Sequence, residues 1–137
     1  MFCNRHKFSC RWRKNNLVEN LRHVGLVVSN IEKFKNIFIN YLGITHVIDY
    51  DKIDIEYINT LVGSTSENVK ICVFKLRSGQ KIELLEYNNG GTINPTPHFV
   101  GSSHIALTVD DIENLYSKRK DFEVKFVASP MKNPEAR

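Results

Sequence analysis

Two histidines, His23 and His104, open similar segments, and this repeat supplies the clearest candidates for chemistry. The segments His23–Phe34 and His104–Leu115 match at a constant offset of 81 residues. A histidine, a leucine, a valine, an isoleucine and a glutamate are identical in place. Self-similarity at one fixed offset indicates duplicated architecture. Because equivalent positions in a pseudo-twofold fold converge on one centre, the two imidazoles are expected to face each other.

A metal ion is the partner that two converging imidazoles suggest. Neutral imidazole is the commonest protein ligand for zinc and other divalent metals. The apolar stretch 81–87 carries Glu83 and Glu86, and strand alternation places these two carboxylates on opposite faces. Only one of them therefore points inward with the histidines. A carboxylate on such a strand is costly to bury unless it is paired or bound to a metal, and two histidines with one carboxylate form a recognised metal-binding set.

Each of these residue types also has an ordinary structural interpretation. A single strand histidine is more often a hydrogen-bonded core or surface residue than a ligand. His46 and His98 have no counterpart in the repeat, so His46 is interpreted as structural and His98 as a loop residue near a pocket mouth. Cys72 lies in an apolar run and is predicted to be a small core residue. The odd total of three cysteines argues against a disulfide framework.

Hydrophobic periodicity predicts the elements that position these side chains. The predicted order is strand 21–28, helix 31–42, strand 44–50, helix 54–61, strands 69–76 and 81–87, strand 103–109, a helix from residue 111 onward, and strand 122–127. Ser29 and Asp110 are predicted helix caps, each with a glutamate three residues later as in a capping box. Gly43 is the predicted C-terminal stop of the first helix.

The second copy of the repeat is predicted to be incomplete. It gives strand, helix and strand, and it has no counterparts of the strands 69–76 and 81–87. An open strand edge invites pairing with another chain. We therefore expect a homodimer, formed by edge-strand pairing or by swapping.

Charge and hydropathy restrict the partners. Residues 1–19 carry five basic side chains against Glu19, so this arm accounts for the net charge of +4 and the body is neutral. A solvated tail is favoured over a specific nucleic-acid contact, because no recognition motif accompanies the charge. No apolar run approaches the roughly 18 residues that a membrane span needs, and the first residues lack a signal-peptide pattern. No membrane partner and a cytoplasmic location are expected.

Three segments, in their order and spacing along the chain, resemble the vicinal oxygen chelate superfamily, which includes glyoxalase, methylmalonyl-CoA epimerase, extradiol dioxygenases, and fosfomycin and bleomycin resistance proteins. They are residues 23–32, 82–87 and 101–112. The resemblance implies an α+β fold of paired βαβββ modules (glyoxalase-like) with the second module incomplete. The predicted organisation is the basic arm 1–19 and a domain 20–137, in which module one is 20–90 and partial module two is 101–137.

The resemblance also implies a ligand set. His23 is the first-strand metal ligand, Glu83 is both a ligand and the catalytic carboxylate, and His104 is the ligand that opens the second module. The implied cofactor is a divalent ion of Zn, Ni, Co, Mn or Fe. The family's last ligand is a glutamate on a final strand, and the role is not carried onto Glu135, which lies too early in the sequence.

The function implied by the resemblance is that of a metal-binding protein that acts on a small-molecule ligand. As a lyase or isomerase, it would stabilise an enediolate on a small oxygenated substrate. Two alternatives stay open at this point: a non-catalytic binding protein like the bleomycin-resistance members, and a truncated inactive homologue. The sequence pattern therefore leaves open whether the protein is an enzyme.

Overall fold

The computed structural model describes residues 20–50, 53–91 and 102–132. The predicted arm 1–19, His98 and Glu135 lie outside these residues. The elements in chain order are β1 (His23–Val27), α1 (Ile31–Asn36) with a π-helical extension (Ile37–Tyr41), β2 (Thr45–Tyr50), α2 (Ile55–Val62), β3 (Val69–Lys75), β4 (Lys81–Tyr87) and α3 (Ile112–Lys118). Among the described residues, no helix is long and apolar enough to cross a membrane.

The four strands form one mixed sheet with the spatial order β1-β4-β3-β2. β1 runs parallel to β4, whereas β4 with β3 and β3 with β2 are antiparallel pairs. A parallel pair requires a long crossover connection, and here α1, β2, α2 and β3 all lie between β1 and β4 in the chain. The predicted α+β class and the strand-helix-strand-strand-strand core of the first module are confirmed.

Both faces of the sheet are covered by apolar side chains. Against one face, α1 and its extension pack Ile31 and Phe38 onto Cys72, Phe74 and Leu84. Phe38 meets the ring of Phe74 edge to face, with the centroids 5.0 Å apart. Because strand side chains alternate, other residues of β3 point to the opposite face. On that face Val69, Ile71 and Val73 pack against three residues of α2 and the segment before it, namely Ile53, Ile55 and Ile58.

The helix starts differ from the predicted caps by one residue. Asn30, rather than Ser29, caps α1 and accepts a hydrogen bond from the Lys33 amide at 2.9 Å. Asp111, rather than Asp110, caps α3. Adjacent capping residues have the same chemistry, so the sequence pattern does not separate them. Gly43 adopts a positive φ of 65° immediately after the helix, which confirms the predicted stop.

The second copy contributes a helix but no strand among the described residues. The predicted strands 103–109 and 122–127 are wrong, since the structure assigns no strand to either range. An isolated strand needs a neighbour to complete its backbone hydrogen bonds, and residues 102–132 supply no such neighbour. The helix α3 is held to the first module by Tyr41, whose hydroxyl donates to the Leu115 carbonyl at 2.6 Å.

Candidate functional site

His23 and Glu83 form the pair of candidate ligands that the fold brings together. The Nδ1 atom of His23 lies 3.5 Å from Oε1 of Glu83. Two ligands on a tetrahedral zinc ion, each bonded at about 2.1 Å, are separated by about 3.4 Å. The side chain of His23 is 41% exposed and that of Glu83 is 23% exposed. The pair is therefore accessible from solvent, and its spacing suits two ligands of one ion.

Strand register explains this approach. In the parallel pairing of β1 with β4, Gly25 lies opposite Glu83 and Val27 lies opposite Leu85. His23 is two residues before Gly25, so its side chain emerges on the face of Gly25 and Glu83. A Cβ atom at Gly25 would lie only 3.3 Å from Leu85 Cδ1. The glycine thus removes a side chain from the position next to the histidine and the glutamate.

Glu86 has a different role on the opposite face of β4. Its carboxylate accepts a hydrogen bond from the Ile31 amide at 2.6 Å and one from the Lys70 ammonium at 2.8 Å. The pKa of Glu86 is lowered, first by Lys70 and then by the Ile31 amide. Glu86 therefore anchors the start of α1, which leaves Glu83 as the glutamate beside His23.

His104 is exposed and does not complete a compact group with the other two residues. The ligand atoms of His23, Glu83 and His104 do not all lie within 4.8 Å of one another. His104 belongs to the segment that precedes α3, and no element among residues 102–111 fixes its backbone in a sheet. The structure therefore brings together two of the three predicted ligands.

A second group of donor atoms lies elsewhere in the sheet and was not predicted from the sequence. His46, Asp49 and Cys72 place one ligand atom each within 4.8 Å of one another. His46 Nε2 lies 3.0 Å from Asp49 Oδ1. Sequence spacing conceals this group, because strand residues three apart normally point to opposite faces.

A cleft of about 560 Å³ lies between the β3–β4 hairpin and the segment before α3, and its lining includes none of the donor residues of either group. Its lining includes Leu76, Arg77 and Gln80 on one side, and Leu107 and Asp111 on the other. This volume falls in the range of small-molecule sites. The cleft is a candidate ligand site that uses neither His23 nor Glu83.

Three solved structures share the fold of this chain. A glyoxalase family protein from Bacillus cereus gives a TM-score of 0.65 at 20% identity, covering 78% of this chain and 74% of that chain. A glyoxylase/bleomycin resistance protein/dioxygenase domain from a Frankia species gives 0.60 at 16% identity, covering 85% and 83%. A genomically encoded fosfomycin resistance protein from Listeria monocytogenes gives 0.54 at 18% identity, covering 88% and 79%. These likenesses show the fold alone.

Family membership rests on a match over most of the sequence. A search of curated proteins finds no match to the chain. Residues 22–137 match a family model described as Glyoxalase/Bleomycin resistance protein/Dioxygenase superfamily. The resemblance seen in the sequence segments is thereby confirmed. The chain belongs to the glyoxalase/bleomycin resistance protein/dioxygenase superfamily.

Proposed function

We propose that this protein binds a divalent metal ion through His23 and Glu83, with His104 as the third ligand, and acts as a lyase or isomerase on a small oxygenated substrate. The 3.5 Å approach of the His23 imidazole to the Glu83 carboxylate carries the proposal. Members of the superfamily generally bind divalent metals. The imidazole and carboxylate donors fit Zn, Ni, Co, Mn or Fe.

The residues of this chain have distinct parts in that chemistry. The metal, when bound, supplies a Lewis acid that polarises a substrate oxygen. Glu83 presents a partly exposed carboxylate that is placed to accept a proton from a bound substrate. His23 orients that carboxylate and is itself open to solvent, so a small molecule reaches both side chains without rearrangement of the sheet.

The third ligand depends on the segment that carries His104. In the described residues this segment is anchored downstream, where Tyr41 holds α3, and His104 itself is exposed. Superfamily members often form dimers. On the described strands, β1 pairs only with β4 and its other edge is open. We expect a homodimer in which a second chain covers this edge and His104 of one chain completes a site. The cytoplasmic location stays a prediction from the sequence.

Metal-induced stabilisation tests the proposal without knowledge of the substrate. Adding excess Ni²⁺, Co²⁺ or Zn²⁺ to the metal-free protein should raise its Tm, because a ligand that binds only the folded state stabilises it. With the second donor group impaired by His46→Ala in every protein compared, Glu83→Gln and His23→Ala should remove most of this shift, and His104→Ala should reduce it. Glu67→Gln is the matched control, since Glu67 is an exposed glutamate away from the pair. A shift that is equal in Glu83→Gln and Glu67→Gln contradicts the proposal.

The cleft supports a second candidate function, namely metal-independent binding of a small molecule. Its volume of about 560 Å³ and its mixed polar and apolar lining suit an organic ligand of drug size. Calorimetric titration with bleomycin and with fosfomycin, each with and without a metal chelator, separates the two candidates. Binding that survives the chelator and Glu83→Gln but is lost in Leu107→Trp, which fills the cleft, favours this second function.

A further inference from the structure

An irregularity in β2 places two donor side chains on the same face of the sheet. In the pairing of β2 with β3, His46 lies opposite Phe74 and Asp49 lies opposite Cys72, and the register shifts between His46 and Ile48. This bulge inserts one residue, so that positions three apart project together instead of on opposite faces. The ring of His46 accordingly packs edge to face on that of Phe74, which belongs to the face covered by α1.

The bulge brings three different donor types to one point. His46 Nε2 lies 3.0 Å from Asp49 Oδ1, and the Cys72 Sγ atom lies within 4.8 Å of the ligand atoms of both residues. The two outer side chains are accessible from solvent, with His46 34% and Asp49 40% exposed. Cys72 is fully buried beneath them. The group therefore has a soft sulfur donor at its base and two solvent-accessible donors above it.

The carboxylate of this group is paired with a side-chain cation. The Lys35 ammonium, which reaches over from α1, lies 2.7 Å from Asp49 Oδ2. The same ammonium lies 3.7 Å from Glu32 Oε1. Lys35 thus has a second carboxylate partner available if another cation displaces it from Asp49.

We infer that His46, Asp49 and Cys72 form a second metal site, separate from the His23–Glu83 pair, which takes a thiophilic divalent ion such as Zn²⁺. One nitrogen, one carboxylate oxygen and one sulfur are donors that zinc accepts together, with water in the fourth position. One nitrogen, one oxygen and one sulfur ligand of a tetrahedral zinc ion are separated by about 3.4 to 3.6 Å. The His46–Asp49 distance is already shorter than this, and the three atoms need to move little to surround an ion.

Binding has a defined proton balance. Burial raises the pKa of the Cys72 thiol to about 12, so this sulfur is protonated at neutral pH in the absence of metal. When the ion binds, the Sγ–H bond breaks, a metal–sulfur bond forms, and the proton leaves to solvent. The Lys35 ammonium keeps its proton and moves to Glu32.

Cobalt titration of the full chain tests this site directly. Co²⁺ bound to a thiolate gives a sulfur-to-cobalt charge-transfer absorption that imidazole and carboxylate ligands do not give. Cys3→Ser and Cys10→Ser are introduced first, so that any such absorption comes from Cys72. We expect one cobalt ion per chain to give the absorption. His46→Ala and Asp49→Asn should weaken binding by about tenfold or more, and His23→Ala should leave the absorption unchanged.

Lys35→Met gives the sharpest result, because it removes the competing cation. Cobalt should then bind more tightly, whereas Lys33→Met on the same helix should have no effect on affinity. Cys72→Ala abolishes the absorption, and the exposed His46 and Asp49 variants keep the test valid if that core variant unfolds. The inference is wrong if the protein gives no thiolate absorption, if the absorption persists in both His46→Ala and Asp49→Asn, or if Lys35→Met fails to tighten binding.

Discussion

The imidazole of His23 lies 3.5 Å from the carboxylate of Glu83, across the parallel pairing of β1 with β4. These strands are separated in the sequence by α1, β2, α2 and β3. A change that unfolds the sheet therefore removes the candidate site as well.

Leu84→Ala should strongly destabilise the protein. Leu84 is fully buried in β4 among the residues that α1 covers. Truncating a buried leucine leaves a cavity and lowers the free energy of unfolding by about 2 to 5 kcal/mol. Leu61→Ala is the control, because Leu61 is 62% exposed and surface changes are within about 0.5 kcal/mol. Urea denaturation of both variants checks the difference, and equal midpoints would refute the core assignment.

Glu86→Gln should weaken the attachment of α1 to the sheet. The ionised carboxylate accepts hydrogen bonds from Lys70 and from the Ile31 amide at the helix start. Replacing an N-terminal capping group costs about 1 kcal/mol. The pKa of Glu86 is lowered from 4.5, so its contribution is present above that pH and is lost as the pH falls below it. Urea denaturation should therefore show that the wild type is more stable than Glu86→Gln at neutral pH, and that the difference in the free energy of unfolding is smaller in acid.

Asp49 should stabilise the folded protein at neutral pH and lose that contribution in acid. The Lys35 ammonium holds the pKa of Asp49 at about 2, below its ordinary 3.8. A carboxyl whose pKa is lowered on folding stabilises the folded state above its unfolded pKa, and this contribution disappears as the pH falls through the folded value. Asp49 is 40% exposed, so screening keeps the effect below about 1 kcal/mol.

The comparison for Asp49 is with Asp49→Asn between about pH 5 and pH 2. The wild type should be more stable than the variant at the upper end, and the two should converge as the carboxyl is protonated. A difference that stays constant across this range would show that the Lys35–Asp49 ion pair does not stabilise the folded protein.

Tyr41→Phe should loosen α3 while leaving the sheet intact. The Tyr41 hydroxyl donates to the Leu115 carbonyl, and its ring contacts Phe122 with the centroids 5.1 Å apart. Phenylalanine keeps the ring contact and removes only a hydrogen bond, worth about 1 kcal/mol. Amide exchange in Ile112–Lys118 should therefore become about fivefold faster, with β3 and β4 unchanged. Unaltered exchange in α3 would mean that this hydrogen bond does not hold the helix.

Hydrophobic periodicity predicts the helices and strands of the first module well, because each of them packs against or pairs with another element of the same module. The apolar spacing from Ile31 to Tyr41 predicted the first helix, and its side chains do pack on the sheet. The range 103–109 has an equally apolar pattern but no strand beside it in the described residues. Hydrophobic periodicity predicts which side chains are buried. It does not predict whether a neighbouring strand is present to complete the backbone hydrogen bonds.

The candidate sites also divide into one that the sequence predicts and one that it does not. The repeat identifies His23, strand alternation places Glu83 and Glu86 on opposite faces, and the resemblance to the superfamily selects Glu83. The group of His46, Asp49 and Cys72 depends on a bulge, which shifts the register by one residue without a clear sequence signal. His46 was interpreted as structural and Cys72 as a core residue, and the burial of Cys72 confirms the second interpretation.

The central claim is that His23 and Glu83 bind a divalent metal, and metal counting tests it most directly. The His46→Ala variant, in which the second proposed site is impaired, is loaded with Ni²⁺, passed over a desalting column and analysed by elemental mass spectrometry. We expect close to one nickel ion per chain. The same protein carrying Glu83→Gln or His23→Ala should retain almost none. Failure of the His46→Ala protein to retain nickel, or equal retention after Glu83→Gln, would contradict the claim.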